Sequence, residues 1–386
     1  MIELTPSFHC DLCQSQDTEV VYVPDGTVRE SKVCLCLNCG CLFSIQTKPT
    51  ALLPPSISHL ASYGGIRINK GTRSRANLEM IAAAFGPEAR PDRVLDVGAS
   101  RGAFIRELLD WSPHSIVDAI EPNKELFPLE LYTRHCNVIG ARVEDVKPPK
   151  GLYTLVVMSH TLEHLLSPRA VLLQLREALA PDGWLFVEVP DMGTIMGYED
   201  GLEECFLDRH LFHFSEPTLR TLLETAGFMV KYLERDGENI SVVAFKVPDF
   251  FIGDLPYNPR IVSETKTLLE TYRTTRARNL ALLPDIAGTW NQIAREKRVV
   301  VWGIGRLFSA LVVAGLKTQR LVGMVDKNYP YLSVLKYHYV VCSPDRLPAM
   351  APDLIMACSR TSQAEIKAQA RELLGTETEV LGWDEV

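Results

Sequence analysis

RVLDVGASRGAFIRELLDWSPHSIVDAIEPN, residues 93–123, decides the fold of this chain. Val94, Leu95 and Val97 form a short apolar run without alternation, the pattern of a parallel strand covered on both faces. Gly98, Ser100 and Gly102 follow as a turn with little side-chain bulk, where backbone can approach a ligand closely. A helix comes next, then a second apolar run from Ile116 to Ile120. It ends on Glu121, placed to accept hydrogen bonds from both hydroxyls of a ribose. Strand, small turn, helix, strand and acid together predict an α/β fold with a nucleoside pocket.

A dinucleotide turn reads G-x-G-x-x-G. Here three residues separate Gly98 from Gly102, and Asp96 stands two residues before the first glycine, so a pyrophosphate is not the expected ligand. The stretch resembles the first motif of class I S-adenosylmethionine methyltransferases, with Asp96 as its acidic start, and Glu121-Pro122 resembles the second. LYTLVVMSHTLEHLLSPRAVLLQLREALAPDGWLFVEVPD (152–191) continues the likeness with a strand at 155–158, a polar loop, a helix through Leu179, a Pro-Asp-Gly turn and a strand from Trp184. FSEPTLRTLLETAGFMVKYLERD (214–236) adds a Ser215 N-cap, an amphipathic helix, a Gly227 stop and a strand. The resemblance spans residues 75–247. It implies that Asp96, Gly98, Ser100 and Gly102 hold the methionine end of S-adenosyl-L-methionine. It assigns Glu121 with Pro122 to the ribose, Ala141 and Arg142 to the adenine edge, and Ser159 and His160 to the sulfonium side.

His160 to His164 also spells HxxEH, an inverted zinc-protease signature. That motif needs both histidines on one helix facing a cleft. Here His160 follows directly on a buried strand, where the binding loops of open α/β sheets lie. Ser159 and His160 are therefore read as cofactor-loop residues, and His164 equally as a histidine satisfied at a helix start.

The 386 residues suggest two large domains plus a small one. A net charge of −8 argues against a general binder of nucleic acid or anionic membrane. No run of about 18 apolar residues occurs, and MIELTPSFHCDLC lacks the basic and apolar regions of a signal peptide, so a soluble cytoplasmic protein is expected. Six of the ten cysteines lie within residues 10–41, which in a cytosolic chain points to metal. Cys10-x-x-Cys13 and Cys36-x-x-Cys39 are separated by 22 residues with strand-like VVYV and a Pro-Asp-Gly turn, the pattern of a zinc ribbon. Four thiolates would close the tetrahedron around a structural Zn²⁺; Cys34 and Cys41 are extra thiols that leave the choice of ligands open. Such ribbons often bind RNA, which keeps an RNA methyltransferase in view. Residues 1–60 carry three basic against six acidic side chains, a balance that disfavours phosphate contact.

Pro259 opens a helical stretch to about Leu283, read as the start of a linker over 258–297. RVVVWGIGRLFSALVVAGLKTQRLVGMVDKN (298–328) then repeats the opening theme: strand 299–302, turn 303–305, helix, strand 321–325 and Asp326. The third glycine of a dinucleotide fingerprint is missing. The turn is read as a structural Rossmann-like element whose helix N-terminus can face an anionic group such as a substrate diphosphate, with an NAD-type cofactor as the alternative. Strands at 339–341 and 354–357 complete a small parallel sheet.

A zinc ribbon over 1–55, a class I methyltransferase domain over 70–250 and a Rossmann-like α/β domain over 298–386 form the layout of the nucleotide-sugar C-methyltransferases. VLDVGASRGAF is similar to that family's cofactor turn, MSHTLEHL to its loop ending in histidine, and FLDRHLFHFS (206–215) to its glutamate-histidine segment. The resemblance implies a small-molecule acceptor, a carbon α to the ketone of a nucleotide-activated deoxysugar. His210 would be the base, with Glu163, Arg209 and His213 as catalytic neighbours. Methylation at such a carbon needs an enolate, and an imidazole titrating near neutrality suits removal of the proton. Arg209 replaces the family's glutamate and His213 an aromatic, so O- or N-methylation of another natural product, a structural role for His210 and an inactive binding scaffold stay open.

Overall fold

The computed structural model describes residues 9–24, 31–46, 72–86, 88–131, 135–195, 204–206, 210–248, 257–327, 340–359, 362–375 and 378–386. They fall into two units, one ending at Leu269 and the other, apart from Glu204 and Cys205, covering Glu270–Val386.

The first unit opens with an antiparallel meander of β1 (Thr18–Tyr22), β2 (Ser31–Cys36) and β3 (Leu42–Gln46). Helix α1 (Thr72–Phe85) leads into β4 (Arg93–Val97), α2 (Ala103–Trp111), β5 (Ile116–Ile120), β6 (Cys136–Ile139), β7 (Tyr153–Ser159), α3 (Pro168–Ala178) and β8 (Leu179–Pro190). After β9 (Phe212–His213) and α4 (Glu216–Thr225), the hairpin of β10 (Phe228–Arg235) and β11 (Asn239–Lys246) closes the sheet, and α5 (Pro259–Leu280) leads out of the unit. The seven-stranded order is β10-β11-β8-β7-β4-β5-β6, parallel except for β11, which is antiparallel to β8 and β10. Apolar runs at 94–97 and 155–158 become its two central strands because both faces are covered, as their fully buried side chains show. The order reverses at β4 and β7, so the loops after these strands flank the natural crevice for a ligand.

β8 starts earlier than the sequence pattern suggests. It pairs with β7 at Tyr153↔Leu179 and again at Leu155↔Trp184, so the Pro-Asp-Gly segment bulges out within the strand instead of preceding it. β9 has no counterpart in the sequence reading: two residues of the catalytic-domain segment add to the ribbon sheet, Leu42↔His213 and Phe43↔Phe212. Ribbon and seven-stranded sheet consequently share one buried cluster, in which Cys10, Leu12 and Phe43 pack with Leu162, Phe212 and Phe214.

The second unit contains α6 (Leu283–Glu296), β12 (Val299–Trp302), α7 (Arg306–Val313), β13 (Gly323–Val325), β14 (Val341–Cys342), α8 (Leu347–Met350), β15 (Leu354–Ala357), α9 (Gln363–Leu374) and β16 (Glu379–Gly382). Its five strands are all parallel in the order β14-β13-β12-β15-β16. The stretch read as a linker is two helices, α5 and α6, with Pro284 in the first turn of the second. Strand β13 begins at Gly323 rather than Leu321, and Tyr339 lies outside the described residues. Among the described residues no helix is long and apolar enough to cross a membrane.

Candidate active site

The turn after β4 runs through three left-handed residues, Gly98 (φ 81°), Ser100 (φ 48°) and Gly102 (φ 66°). A Cβ on Gly98 would stand 2.1 Å from Thr161 Oγ1, and one on Gly102 2.3 Å from Leu131 Cδ1, so both positions require glycine for space as well as conformation. Thr161 Oγ1 in turn donates to the carbonyls of Val97 and Ser159 at 3.0 and 3.2 Å, tying the loop after β7 to the turn after β4. Glu121, at the end of β5, accepts from the backbone N–H of Ser100 at 2.8 Å and of Asn123 at 2.9 Å. One N–H thus engages each carboxylate oxygen, and every carboxylate oxygen retains a further lone pair. Asp96 is buried inside β4; burial, helped by the nearby Glu121 charge, pushes its carboxyl up to about 7. These residues lie together at the carboxyl ends of β4 and β5 and fit a cofactor with an amino-acid end and a ribose. An ammonium would compensate Asp96, and the turn leaves space where side chains would obstruct.

Pro122, Ala141 and Arg142 follow β5 and β6 on the same side of the sheet. Ala141 N–H donates to Ile139 O at 3.0 Å, while exposed Arg142 pairs with Glu144 at 2.9 Å.

Ser159 ends β7 and His160 follows it. Ser159 Oγ donates to the Glu188 carboxylate, and His160 N–H donates to Glu188 O at 2.9 Å. His160 takes a left-handed φ of 50°. Its Nδ1 lies 3.4 Å from Glu163 Oε1 and its Nε2 3.9 Å from Glu188 Oε2. Glu188, on β8, also accepts from Asn77 Nδ2 at 2.9 Å and lies 3.7 Å from Arg73 Nε. Glu188 organises this corner, yet the sequence reading passed over it. Its signal was an acid in the middle of the apolar run LFVEVP, because a charge is buried in a strand only when partners wait for it.

Leu162–His164 is a single 3₁₀ turn, so the long helix an inverted zinc-protease motif needs is absent at this place. The turn buries Glu163, which is 1% exposed, and presents half-exposed His164, whose Nε2 is 3.7 Å from Glu163 Oε1. His210 joins them from the segment before β9, its ring 4.9 Å from that of His164 and edge-on to it. Burial pushes the Glu163 carboxyl up, but the reach to His160 and the charges of His164, His160 and His210 together outweigh it and hold the carboxyl at about 2. Burial pulls His160 down, and its contacts with Glu163 and the Glu188 charge reverse the shift and raise it. Leu211 N–H donates to Glu163 O and Ser44 N–H to Leu211 O, both at 2.8 Å, so the ribbon edge, the histidine segment and the glutamate turn are joined by backbone bonds. His213 is buried: its Nε2 is 2.8 Å from Ser44 Oγ, and burial, with the His210 charge, pulls it down to about 3. It faces the ribbon and braces β9. Arg209 lies outside the described residues.

In the ribbon, Cys10 and Cys39 sulfurs are 3.7 Å apart, those of Cys13 and Cys36 3.4 Å, and all four lie within 4.8 Å of one another. A metal–sulfur distance of about 2.3 Å in a tetrahedron gives sulfur separations of about 3.8 Å, so the set fits one four-coordinate ion. Cys34 and Cys41 are buried outside the set; the Cys41 thiol donates to Leu42 O at 3.5 Å, and burial pushes Cys34 up to about 11.

Residues 70–233 match the model of a family described as a methyltransferase domain. No curated protein matches the chain. Among solved structures, the Burkholderia thailandensis 1,6-didemethyltoxoflavin-N1-methyltransferase, with 1,6-didemethyltoxoflavin and S-adenosylhomocysteine bound, is 18% identical with a TM-score of 0.40, over 55% of this chain and 97% of its own. An S-adenosylmethionine-dependent methyltransferase from Aquifex aeolicus is 21% identical with a TM-score of 0.37, over 49% of this chain and 98% of its own.

Proposed function

We propose, from the premise that residues 70–233 are the methyltransferase domain of an S-adenosylmethionine-dependent enzyme, that the acceptor is a small molecule that must lose a proton to be methylated. The favoured acceptor is the carbon α to the ketone of a nucleotide-activated deoxysugar, and His210 is its general base. The observation that carries this is the buried Glu163 carboxylate, which stands with His164 and His210 at mutual ligand-atom distances within 4.8 Å. A proton taken by His210 creates a positive charge beside an anion that water does not screen, which favours the transfer.

S-adenosylmethionine, when bound, supplies a methyl group on a positively charged sulfur, already a good leaving group. Asp96 meets the ammonium of its amino-acid end, the 98–102 turn gives its backbone to the same end, and Glu121 holds the ribose. Ala141 and Arg142 border the base, and Ser159 and His160 border the sulfur, held in place by Glu188. The remaining contribution is line-up: acceptor carbon against methyl, and His210 against the departing proton. Zn²⁺ in the four-cysteine site is structural, because four thiolates leave no position for a substrate.

His210→Gln is expected to cut turnover by about 10²–10⁴-fold with S-adenosylhomocysteine affinity unchanged in calorimetry. Turnover close to that of the parent protein would exclude His210 as the base. For a keto-sugar acceptor, the parent protein exchanges the α hydrogen with deuterated solvent before methylation and the variant does not. Methylation without such exchange would move the reading to an oxygen or nitrogen acceptor.

A further inference from the structure

We infer that Glu163, His164 and His210 form a binding site for a divalent transition-metal cation, separate from the four-cysteine site. One carboxylate oxygen and one nitrogen from each imidazole lie within 4.8 Å of one another, a spacing that a single ion at about 2.0–2.2 Å from each ligand can bridge with small side-chain rotations. The independent observation is Glu163. Its side chain is 1% exposed, and neither carboxylate oxygen accepts a hydrogen bond from any described residue. A buried carboxylate without hydrogen bonds is costly unless a cation completes it. His160 Nδ1 stands 3.4 Å from Oε1 as an ion-pair neighbour outside hydrogen-bond geometry, and its Nε2 is 3.9 Å from Glu188 Oε2, which leaves Glu163 Oε2 without a partner among the described residues.

The ligands are positioned before any ion arrives. Glu163 and His164 are neighbours in one 3₁₀ turn, and the bond from Leu211 N–H to Glu163 O holds the His210 segment against that turn. One carboxylate with two imidazoles suits zinc, cobalt, iron or manganese in the divalent state, and disfavours calcium and magnesium, which take oxygen sets. The two metal sites then differ in kind. Four thiolates enclose their ion, whereas three protein ligands, two of them half-exposed, leave coordination positions open towards solvent. Such an ion would polarise an acceptor oxygen and lower the pKa of a water held at an open position, whose hydroxide form would take the acceptor's proton in place of His210. That use rests on the methyltransferase reading; the binding of the ion does not. With the ion in place His210 is a ligand, so metal content separates its base role from its ligand role.

The test is cobalt binding. Full-length protein is dialysed against a chelator until only the zinc of the cysteine site remains, then titrated with Co²⁺. The parent protein should take one further equivalent per chain, with visible d–d bands and no thiolate charge-transfer absorption. Glu163→Gln, which keeps the shape of the turn, and His164→Asn, at a half-exposed position, should each abolish that equivalent while zinc stays at one per chain. No second equivalent in the parent protein, or cobalt bands that survive both variants, would overturn the site. S-adenosylhomocysteine titration of the same samples reads the methyltransferase assignment separately, since Asp96 and Glu121, the acids assigned to that ligand, are not among the three metal ligands.

Discussion

The two units build the same local device at different strengths. In both, a buried central strand ends in a glycine turn, a helix follows, and an acid after the next strand accepts a backbone N–H from the turn. In the first unit Ser100 N–H donates to Glu121 at 2.8 Å, and in the second Ile304 N–H donates to Asp326 at 2.9 Å. The acid-to-turn bond therefore follows from strand–turn–helix–strand geometry and does not by itself mark a cofactor. What differs is the investment around it. The first turn has left-handed backbone at 98, 100 and 102, two glycines with no space for a Cβ, a second clamp from Asn123, and buried Asp96 in the strand below. The second has one crowded glycine, Gly303, whose Cβ would stand 2.5 Å from Cys358 O. Gly305 is extended at φ −92° with nothing within 4 Å of its Cβ position, and the strand below is Val-Val-Val-Trp.

The largest effect should come from cutting the acids in parallel. Glu121→Ala removes the acceptor for both ribose hydroxyls, which at about 1.5–3 kcal/mol for each hydrogen bond to a charged group weakens S-adenosylhomocysteine binding by about 100-fold or more, and it also leaves Ser100 and Asn123 N–H without this partner. Asp326→Ala should leave that affinity unchanged within about twofold. Equal loss in both variants, read by calorimetry, would erase the distinction between the turns.

Glycine substitution sharpens the comparison through stability. Gly98→Ala forces an L residue into φ 81° and drives a methyl into Thr161, displacing the hydroxyl that bridges the two loops. A loss of about 2–4 kcal/mol is expected from strain and overpacking combined. Gly305→Ala should lie within about 0.5 kcal/mol of the parent. Thermal unfolding of the two variants checks the pair, and equal destabilisation would refute the reading of Gly305 as unconstrained.

These contrasts explain which features were legible. Unbroken apolar runs such as 94–97 and 299–302 announce parallel strands because burial on both faces removes alternation, and the CxxC pairs carry their own spacing. The strand β9 was not legible: two residues pair with β3, and the Ser44–His213 contact closes over 169 positions of sequence, with no local pattern to announce it. Consequently the sequence shows His213 only beside His210, whose ring lies 6.5 Å away, and not its tie to Ser44 of the ribbon. The bulge at 180–183 was hidden for a different reason. Pro-Asp-Gly reads as a turn between elements, and only the register with Tyr153 and Leu155 reveals that the strand has already begun.

The smallest effect concerns Asp96, and its sign can be worked out. Desolvation and the Glu121 charge raise this carboxyl to about 7, and its own charge reaches the buried Cys136 thiol. In the cofactor-free protein Asp96 is therefore largely protonated below about pH 7, whereas an ammonium ligand needs the carboxylate. Binding at low pH must then release a proton, and affinity falls as pH drops through 7, by at most about tenfold per pH unit. The ligand's own α-ammonium loses its proton only at clearly alkaline pH, because a carboxylate rather than an amide adjoins it, so the trend near neutrality is that of Asp96. Asp96→Asn should flatten this acidic limb, measured as S-adenosylhomocysteine affinity from about pH 5.5 to 8.5. An acidic limb that persists in the variant would assign the titration to another group. The strand below the second turn offers no ionisable side chain, so a ligand bound there would show no such limb from its strand.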